Sequence, residues 1–340
     1  MSAWQYYYRH LPADQQEIYH RLLVGLRELS PAIRIPKCDT ETLSTLFFQL
    51  RLDHPEIFWA VSFSCRGYSG AESWEFVPEY MFRKDKVKEH QKALSARLER
   101  LCRPARELDE AGKVRYIHDF ILESVRYDKL EKPYSHEIIG PMTNGVGVCE
   151  GIAKTVKLLC DTLDVPCMIP ISDRDRLNGG KYLHAWNIVQ LAGKYYHLDA
   201  TFDNTLTKKC GFNRYDYYLL NDEKIFRDHR ALLYGAPECT DGKRFGYLEQ
   251  KRSFTKLEDV QKRIDQAIKK KKPDYIFHWR GGYLTRETLS ELCTLIEQTA
   301  RARDAGVEIR VNWPQAVIYT RFTQNAPMSV QNDDAGEDVQ

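Results

Sequence analysis

The sequence lacks several features that would mark a specialised class of protein. It has no run of about 18 apolar residues, so it predicts no membrane-spanning helix. The counts of 50 basic and 48 acidic side chains leave a net charge of +2, which gives no reason to expect nucleic acid or an anionic membrane as a partner. The first residues, MSAWQYYYRHLPADQQ, lack the apolar stretch of a secretory signal.

Cysteine is present, but not at the spacing of a zinc site. The nine cysteines include no C-x₂₋₄-C pair, which disfavours a zinc site built from Cys149, Cys160, Cys167 and His184. We therefore predict no metal and no cofactor. An odd number of irregularly spaced cysteines is typical of reduced thiols in a reducing compartment, so we expect a cytoplasmic protein.

The periodicity of the apolar residues predicts a mixed α+β protein. Helical spacing predicts helices over approximate ranges 14–29, 85–101, 110–127, 149–163, 257–270 and 286–303. β-Branched and aromatic residues predict strands in 58–65, DVPCMIPIS, DYIFHWR and VEIRVNWPQAVIYTRF, and in two strands around a tight turn at Ala192-Gly193.

Changes of character along the chain suggest four regions. We expect an N-terminal α/β region over 1–108, a catalytic core over 109–235 and a small C-terminal α/β domain over 250–323. The polar residues 324–340 predict a disordered tail.

The segment NGVGVCEGIAKTVKLLC carries the first candidate catalytic residue. Cys149 opens the predicted helix, where the helix dipole and the first amide groups favour a thiolate and can stabilise an oxyanion. Gly147 is expected to give the preceding turn an unusual backbone angle and to line the site. The alternative is a buried cysteine with a purely structural role.

The two strands around Ala192-Gly193 supply candidate partners for the thiol. A two-residue turn sets His184 opposite Thr201 and Asp199 diagonally from His184 on the same face, roughly 7–8 Å apart. We then expect His184 to accept the proton of Cys149 and Asp199 to orient the imidazole. Trp186 is expected to line the site, and His197 to be a core or supporting residue.

Three motifs in this order resemble the core of the transglutaminase-like superfamily. They are GVCEG, with Cys149, HAWN, with His184, and DAT, with Asp199; YDYYLLNDEKIFRDH resembles the segment that follows in bacterial members. The resemblance implies a papain-like fold, in which a thiol-bearing helix packs against an antiparallel sheet. It implies acyl transfer from an amide through a thioester. His136, in the segment YSHEIIG, is a further candidate site-lining residue.

We therefore expect a cysteine-dependent enzyme that acts on a peptide or protein amide. No calcium loop of the D-x-[DN]-x-[DN]-G type is present to regulate a crosslinking enzyme, which favours hydrolysis over crosslinking. The alternatives are a protein-glutamine transglutaminase and a non-catalytic peptide- or protein-binding module with an unused triad. The sequence does not decide the oligomeric state.

Overall fold

The computed structural model describes residues 4–67, 70–172, 184–323, 328–333 and 335. Helices and strands are mixed along the chain, so the predicted α+β class is confirmed. The chain divides into two compact units, residues 1–193 with 232–236 and residues 194–231 with 237–340. None of the helices in the described part of the chain has the length and hydrophobicity needed to cross a membrane.

The first unit holds six α-helices and seven strands in its described part. The helices are α1 (Tyr6–Arg9), α2 (Ala13–Glu28), α3 (Thr40–Asp53), α4 (Lys84–Cys102), α5 (Glu110–Ser124) and α6 (Cys149–Thr162). The strands are β1 (Ile33–Pro36), β2 (Ala60–Arg66), β3 (Ser73–Tyr80), β4 (Arg126–Tyr127), β5 (Val146–Gly147), β6 (Cys167–Met168) and β7 (Asn187–Leu191).

The core of the first unit packs α2, α3 and α4 against an antiparallel sheet in the order β1-β3-β2. Leu22 and Leu26 on α2 and Leu46 and Leu50 on α3 are buried at helical spacing, as expected of amphipathic helices. The indole of Trp59 is buried with them and donates to the carbonyl of Leu26 at 3.0 Å. This core also reaches Ile138, Ile139 and Met142, in the loop before the cysteine helix.

Short strands position the chain around α6. The parallel pair β4–β5 aligns Tyr127 with Gly147, two residues before Cys149. The antiparallel pair β6–β7 aligns Cys167 with Val189. The Asn187 side chain donates from β7 to the carbonyl of Ala153 on α6 at 3.0 Å. The predicted packing of the thiol-bearing helix against antiparallel strands is therefore present.

The second unit holds five helices and seven strands in its described part. The helices are α7 (Ala200–Cys210), α8 (Asp222–Ile225), α9 (Gly246–Glu249), α10 (Leu257–Lys269) and α11 (Arg286–Arg301). The strands are β8 (Lys194–Leu198), β9 (Tyr218–Leu220), β10 (Ser253–Phe254), β11 (Asp274–Trp279), β12 (Gly306–Asn312), β13 (Val317–Thr323) and β14 (Ser329–Asn332).

The core of the second unit lies between a sheet and two helices. The sheet has the order β10-β11-β13-β12-β14, and buried residues of α10 and α11 pack against it. β11, β13 and β12 are antiparallel, while β10 and β14 join the sheet in parallel. Strand β14 lies within 324–340, where the sequence predicts a disordered tail. The strand is ordered there because it pairs with β12.

A fully buried ion pair lies in the second unit. Arg214 donates to both carboxylate oxygens of Asp216, at 3.0 and 2.7 Å, and to Asp333 at 3.0 Å. Tyr247 and Asn312 also donate to Asp216. The network satisfies these charges inside the protein and anchors Asp333, the residue after β14.

Candidate active site

Cys149 is the first residue of α6, as predicted. Val148 precedes the helix in an extended conformation, and its apolar side chain cannot cap the helix. The first amide groups of a helix have no carbonyl partner within it, so the thiol lies where the helix favours negative charge. Cys149 is 8% exposed, so the surrounding protein limits the number of water molecules around the sulfur.

Glycines fix the position of this helix start through close packing. A Cβ atom at Gly151 would lie 2.1 Å from the carbonyl oxygen of Ser135, and one at Gly147 would lie 2.7 Å from Pro141 Cγ. The left-handed conformation in this turn belongs to Gly145, at φ 64°, and not to Gly147. The expectation for the backbone of Gly147 is therefore wrong: close approach explains this glycine.

A buried ionic network lies beside the cysteine. Glu150 contacts Lys154 at 2.7 Å and Arg51 at 3.7 Å, and Lys154 also contacts Glu137 at 2.8 Å. Burial opposes the charge of Glu150, but Lys154, His136 and Arg51 hold the pKa of this carboxyl well below its usual range. The network attaches the loop that contains Glu137 to the first turn of α6.

His136 adjoins this network. Its Nδ1 lies 3.5 Å from Glu150, the residue after Cys149, and its side chain is partly exposed. His136 therefore contacts Glu150, the neighbour of Cys149 in the sequence.

His184 and Trp186 lie together in the first unit. Their rings stack with centroids 5.7 Å apart and an interplanar angle of 16°. The backbone amide of His184 donates to Ser172 Oγ at 2.9 Å, and its carbonyl accepts from the Ser172 amide at 3.0 Å. Both side chains are buried. The indole of Trp186 therefore restricts the orientation of the His184 imidazole.

The turn after β7 has the predicted length. β7 ends at Leu191 and β8 begins at Lys194, with Ala192 and Gly193 in the left-handed region at φ 48° and 77°. The predicted strands are too long, however, because β7 starts only at Asn187 and β8 stops at Leu198. His184 and Asp199 therefore lie outside β7 and β8, and the strand register does not determine the distance between them.

Asp199 begins a helix instead of continuing a strand. Its Oδ1 accepts hydrogen bonds from the amides of Thr201 and Phe202, at 2.9 and 3.0 Å, which caps α7. Its Oδ2 lies 2.8 Å from His229 Nε2. This fully buried carboxylate therefore has structural partners on both oxygens.

His229 is the residue that the sequence analysis does not identify as part of the site. Its other nitrogen, Nδ1, lies 2.9 Å from Asp228, which accepts a hydrogen bond from Tyr217 at 2.6 Å. Burial alone would lower the pKa of His229, but its hydrogen bonds with Asp199 and Asp228 raise it from 6.5 to about 9. At neutral pH the ring is therefore a buried imidazolium between two carboxylates.

The comparisons with known proteins agree with the motifs. Residues 99–200 match the sequence model of the transglutaminase-like superfamily, a segment that includes Cys149, His184 and Asp199. The chain therefore contains a transglutaminase-like core region, as the motifs predict. The matched segment covers less than half of the chain. A search of curated proteins found no match.

Two solved structures are similar to this chain at low identity. One, described as a TGase, has 13% identity and a TM-score of 0.28, over 50% of each chain. The other, described as a putative cysteine protease from Cytophaga hutchinsonii, has 15% identity and a TM-score of 0.25, over 41% of this chain and 61% of its own. In each case the match spans less than two thirds of the other chain.

Proposed function

We propose that this protein is a cysteine-dependent enzyme that acts on a peptide or protein amide through a thioester. The observation that carries the proposal is Cys149 at the start of α6, within a transglutaminase-like region that contains His184 and Asp199 in the order of the motifs. In this proposal Cys149 is the nucleophile, His184 the general base and acid, and Asp199 the residue that orients the imidazole.

The first half-reaction forms the acyl-enzyme. His184 takes the proton of Cys149, and the thiolate forms a bond to the amide carbon while the carbonyl electrons move to oxygen. Amide groups at the start of α6 favour this oxyanion. The carbonyl then re-forms, the carbon–nitrogen bond breaks, and His184 donates the proton to the leaving amine or ammonia.

The second half-reaction releases the acyl group. We propose water as the preferred acceptor: His184 takes a proton from water, the oxygen attacks the thioester carbon, and the carbon–sulfur bond breaks as Cys149 is restored. The product is a carboxylate, so the reaction is hydrolysis. If a lysine amine takes the place of water, the product is an isopeptide bond and the reaction is crosslinking.

The test uses a small activated ester, because it acylates a thiolate without needing the natural leaving group. After brief reaction with p-nitrophenyl acetate, peptide mass spectrometry is expected to find acetyl on Cys149 in the native protein and at most traces in the His184→Ala variant. Cys149→Ala controls for acetylation elsewhere. Equal acetylation of Cys149 with and without His184 would contradict the proposed enzyme.

The same acyl-enzyme measures the choice of acceptor. We add monodansylcadaverine, a fluorescent amine that resembles a lysine side chain, and compare free acetate with acetylated amine. Hydrolysis predicts that acetate stays the main product at millimolar amine. If acetylated amine is the main product, the second half-reaction is transfer to an amine and not hydrolysis. The proposed thioester intermediate is unchanged by that result.

A further inference from the structure

We propose that His197, Asp222 and Cys239 form a binding site for a divalent transition-metal ion of the zinc type. These residues come from the strand β8, the first position of α8 and the loop before α9. One ligand atom of each, an imidazole nitrogen, a carboxylate oxygen and the sulfur, lies within 4.8 Å of the others. The site belongs to the second unit and does not depend on the proposed acyl transfer.

The backbone holds the three donors in place. The amide of Asp222 donates to the carbonyl of Cys239 at 2.8 Å, and the amide of Cys239 donates to Asp222 Oδ2 at 2.9 Å. His197 pairs with Leu220 of β9, and the ring of Phe226 packs edge-on against its imidazole. Little rearrangement is therefore needed to bring the donors to the distances of a metal site.

The identity of the donors selects the type of ion. Thiolate and imidazole favour zinc and its neighbours over magnesium or calcium, which prefer sites made only of oxygen ligands. One thiolate and one carboxylate offset the two charges of the ion, so the whole site is close to neutral. This balance suits a place where His197 and Cys239 are fully buried.

The side chain of Asp222 provides access. It is 37% exposed, while the other two side chains are fully buried, so an ion reaches the donors from the side of this carboxylate. Three protein ligands leave a fourth tetrahedral position for a water molecule. Asp222 Oδ1 lies 2.8 Å from His197 Nε2, so the metal ion takes the place of this hydrogen bond. The neutral imidazole then carries its proton on Nδ1, and the Cys239 thiol releases its proton to the solvent.

The alternative is that the His197–Asp222 hydrogen bond serves only to hold the loop. Without a metal ion, Cys239 keeps a protonated thiol, whose sulfur lies 3.7 Å from the carbonyl oxygen of Pro237. Burial raises the pKa of this thiol and lowers the pKa of His197.

The test is a cobalt titration of the full chain after removal of metal by a chelator. Co²⁺ bound to a thiolate gives a charge-transfer absorption that oxygen and nitrogen ligands do not give. We expect this band to saturate at one ion per chain and to disappear when Zn²⁺ is added. No saturable band in the native protein would overturn the proposal.

Variants assign the band to these residues. Cys239→Ser should abolish it, and Asp222→Asn should weaken Co²⁺ binding at least about 10-fold, while the matched thiol variants Cys210→Ser and Cys149→Ala keep it. Asp222→Asn changes a partly exposed side chain, so it tests the site even if the substitution of the buried Cys239 prevents folding. Retention of the band in Cys239→Ser, or native affinity in Asp222→Asn, would leave only the structural hydrogen bond.

Discussion

Asp199 combines a structural role in the fold with a proposed role in catalysis. One of its oxygens caps α7, and the other faces the His229 imidazolium. The same carboxylate is also the proposed orienting group of the triad. Its structural and catalytic roles can be separated, because asparagine caps a helix nearly as well as aspartate but carries no charge.

We predict different results for two substitutions of Asp199. Asp199→Asn should keep α7 folded and slow acetylation of Cys149 by about 100-fold or more, since an amide favours the wrong tautomer of the triad histidine. Asp199→Ala should slow it similarly and lose about 1 kcal/mol more stability than the asparagine variant, because the cap is also removed.

Acetylation rates and urea unfolding measure these two effects. Native acetylation in Asp199→Asn would exclude this residue from the triad. Equal stability of the two variants would mean that the cap contributes nothing measurable.

His229 predicts a dependence of stability on pH. Its pKa is about 9 in the folded protein against 6.5 for an ordinary histidine, so its stabilisation is complete below about pH 6.5 and is lost as the pH rises through 9. The facing groups are the carboxylates of Asp199 and Asp228, which hydrogen-bond to the ring, and Tyr217, whose pKa burial raises well above its usual value.

The measurement compares the native protein with His229→Gln. Between about pH 6.5 and 9.5 the native free energy of unfolding should fall by about 3 kcal/mol more than that of the variant, at 1.36 kcal/mol for each pKa unit. Parallel pH profiles would mean that the two carboxylates do not hold a proton on this ring.

At the scale of elements, α6 depends on Gly151, two residues after its cysteine. We predict that Gly151→Ala costs about 1–3 kcal/mol of stability, although alanine is the better helix former, because the added Cβ would lie 2.1 Å from the backbone of Ser135. The shift of the helix start should also slow acetylation of Cys149.

Gly235→Ala is the matched control for this prediction. A Cβ atom at Gly235 has no heavy atom within 4 Å in the described part of the chain, so its effect should stay within about 0.5 kcal/mol. If Gly151→Ala is as stable as this control, close packing does not explain the glycine.

Helix periodicity in the sequence predicts most of the long helices. α2, α4, α5, α6, α10 and α11 all begin within a residue or two of their expected positions. The sequence analysis does not predict α3, although Leu43, Phe47 and Leu50 follow helical spacing and Asp39 caps it, with Oδ1 accepting from the Thr42 amide at 2.7 Å. That signal was present in the sequence.

The misassigned helix is α7, where local preference and structure disagree. Its first residues include Thr201, Phe202 and Thr205, which favour strands. The cap by Asp199 and burial of the helix override that preference. His229 shows a related limit: its partner Asp199 lies 30 residues away, and the sequence alone does not bring the two together.

At the scale of the molecule, the division into two units falls at residues 193 and 194, inside the predicted core of 109–235. Composition does not mark this point, because the chain continues through a two-residue turn between strands. The predicted domain boundaries stay a prediction. The proposed metal donors His197, Asp222 and Cys239 have no recognisable spacing in the sequence, because each lies in a different segment.

The buried ion pair of the second unit predicts a large effect on stability. Arg214→Ala leaves Asp216 buried without its cation and should cost about 3–5 kcal/mol. The control is Arg301→Ala, which removes an exposed pair with Glu297 and should cost less than about 1 kcal/mol. Urea unfolding compares them, and similar costs would mean that Asp216 finds other compensation.

The central claim is that Cys149 is a thiolate activated by His184, and the rate of its alkylation tests it most directly. Iodoacetamide labelling is followed at each cysteine by peptide mass spectrometry. The other thiols give an internal reference, because burial raises the pKa of Cys102 and Cys293 to about 11 and also raises those of Cys38, Cys65 and Cys210.

In the native protein we predict rapid labelling of Cys149 near pH 6.5 that changes little up to about pH 8.5. In His184→Ala the labelling should be slow at neutral pH and rise with pH as for an ordinary thiol. A Cys149 that labels as slowly as the reference thiols, with the same pH dependence in both proteins, would contradict the account.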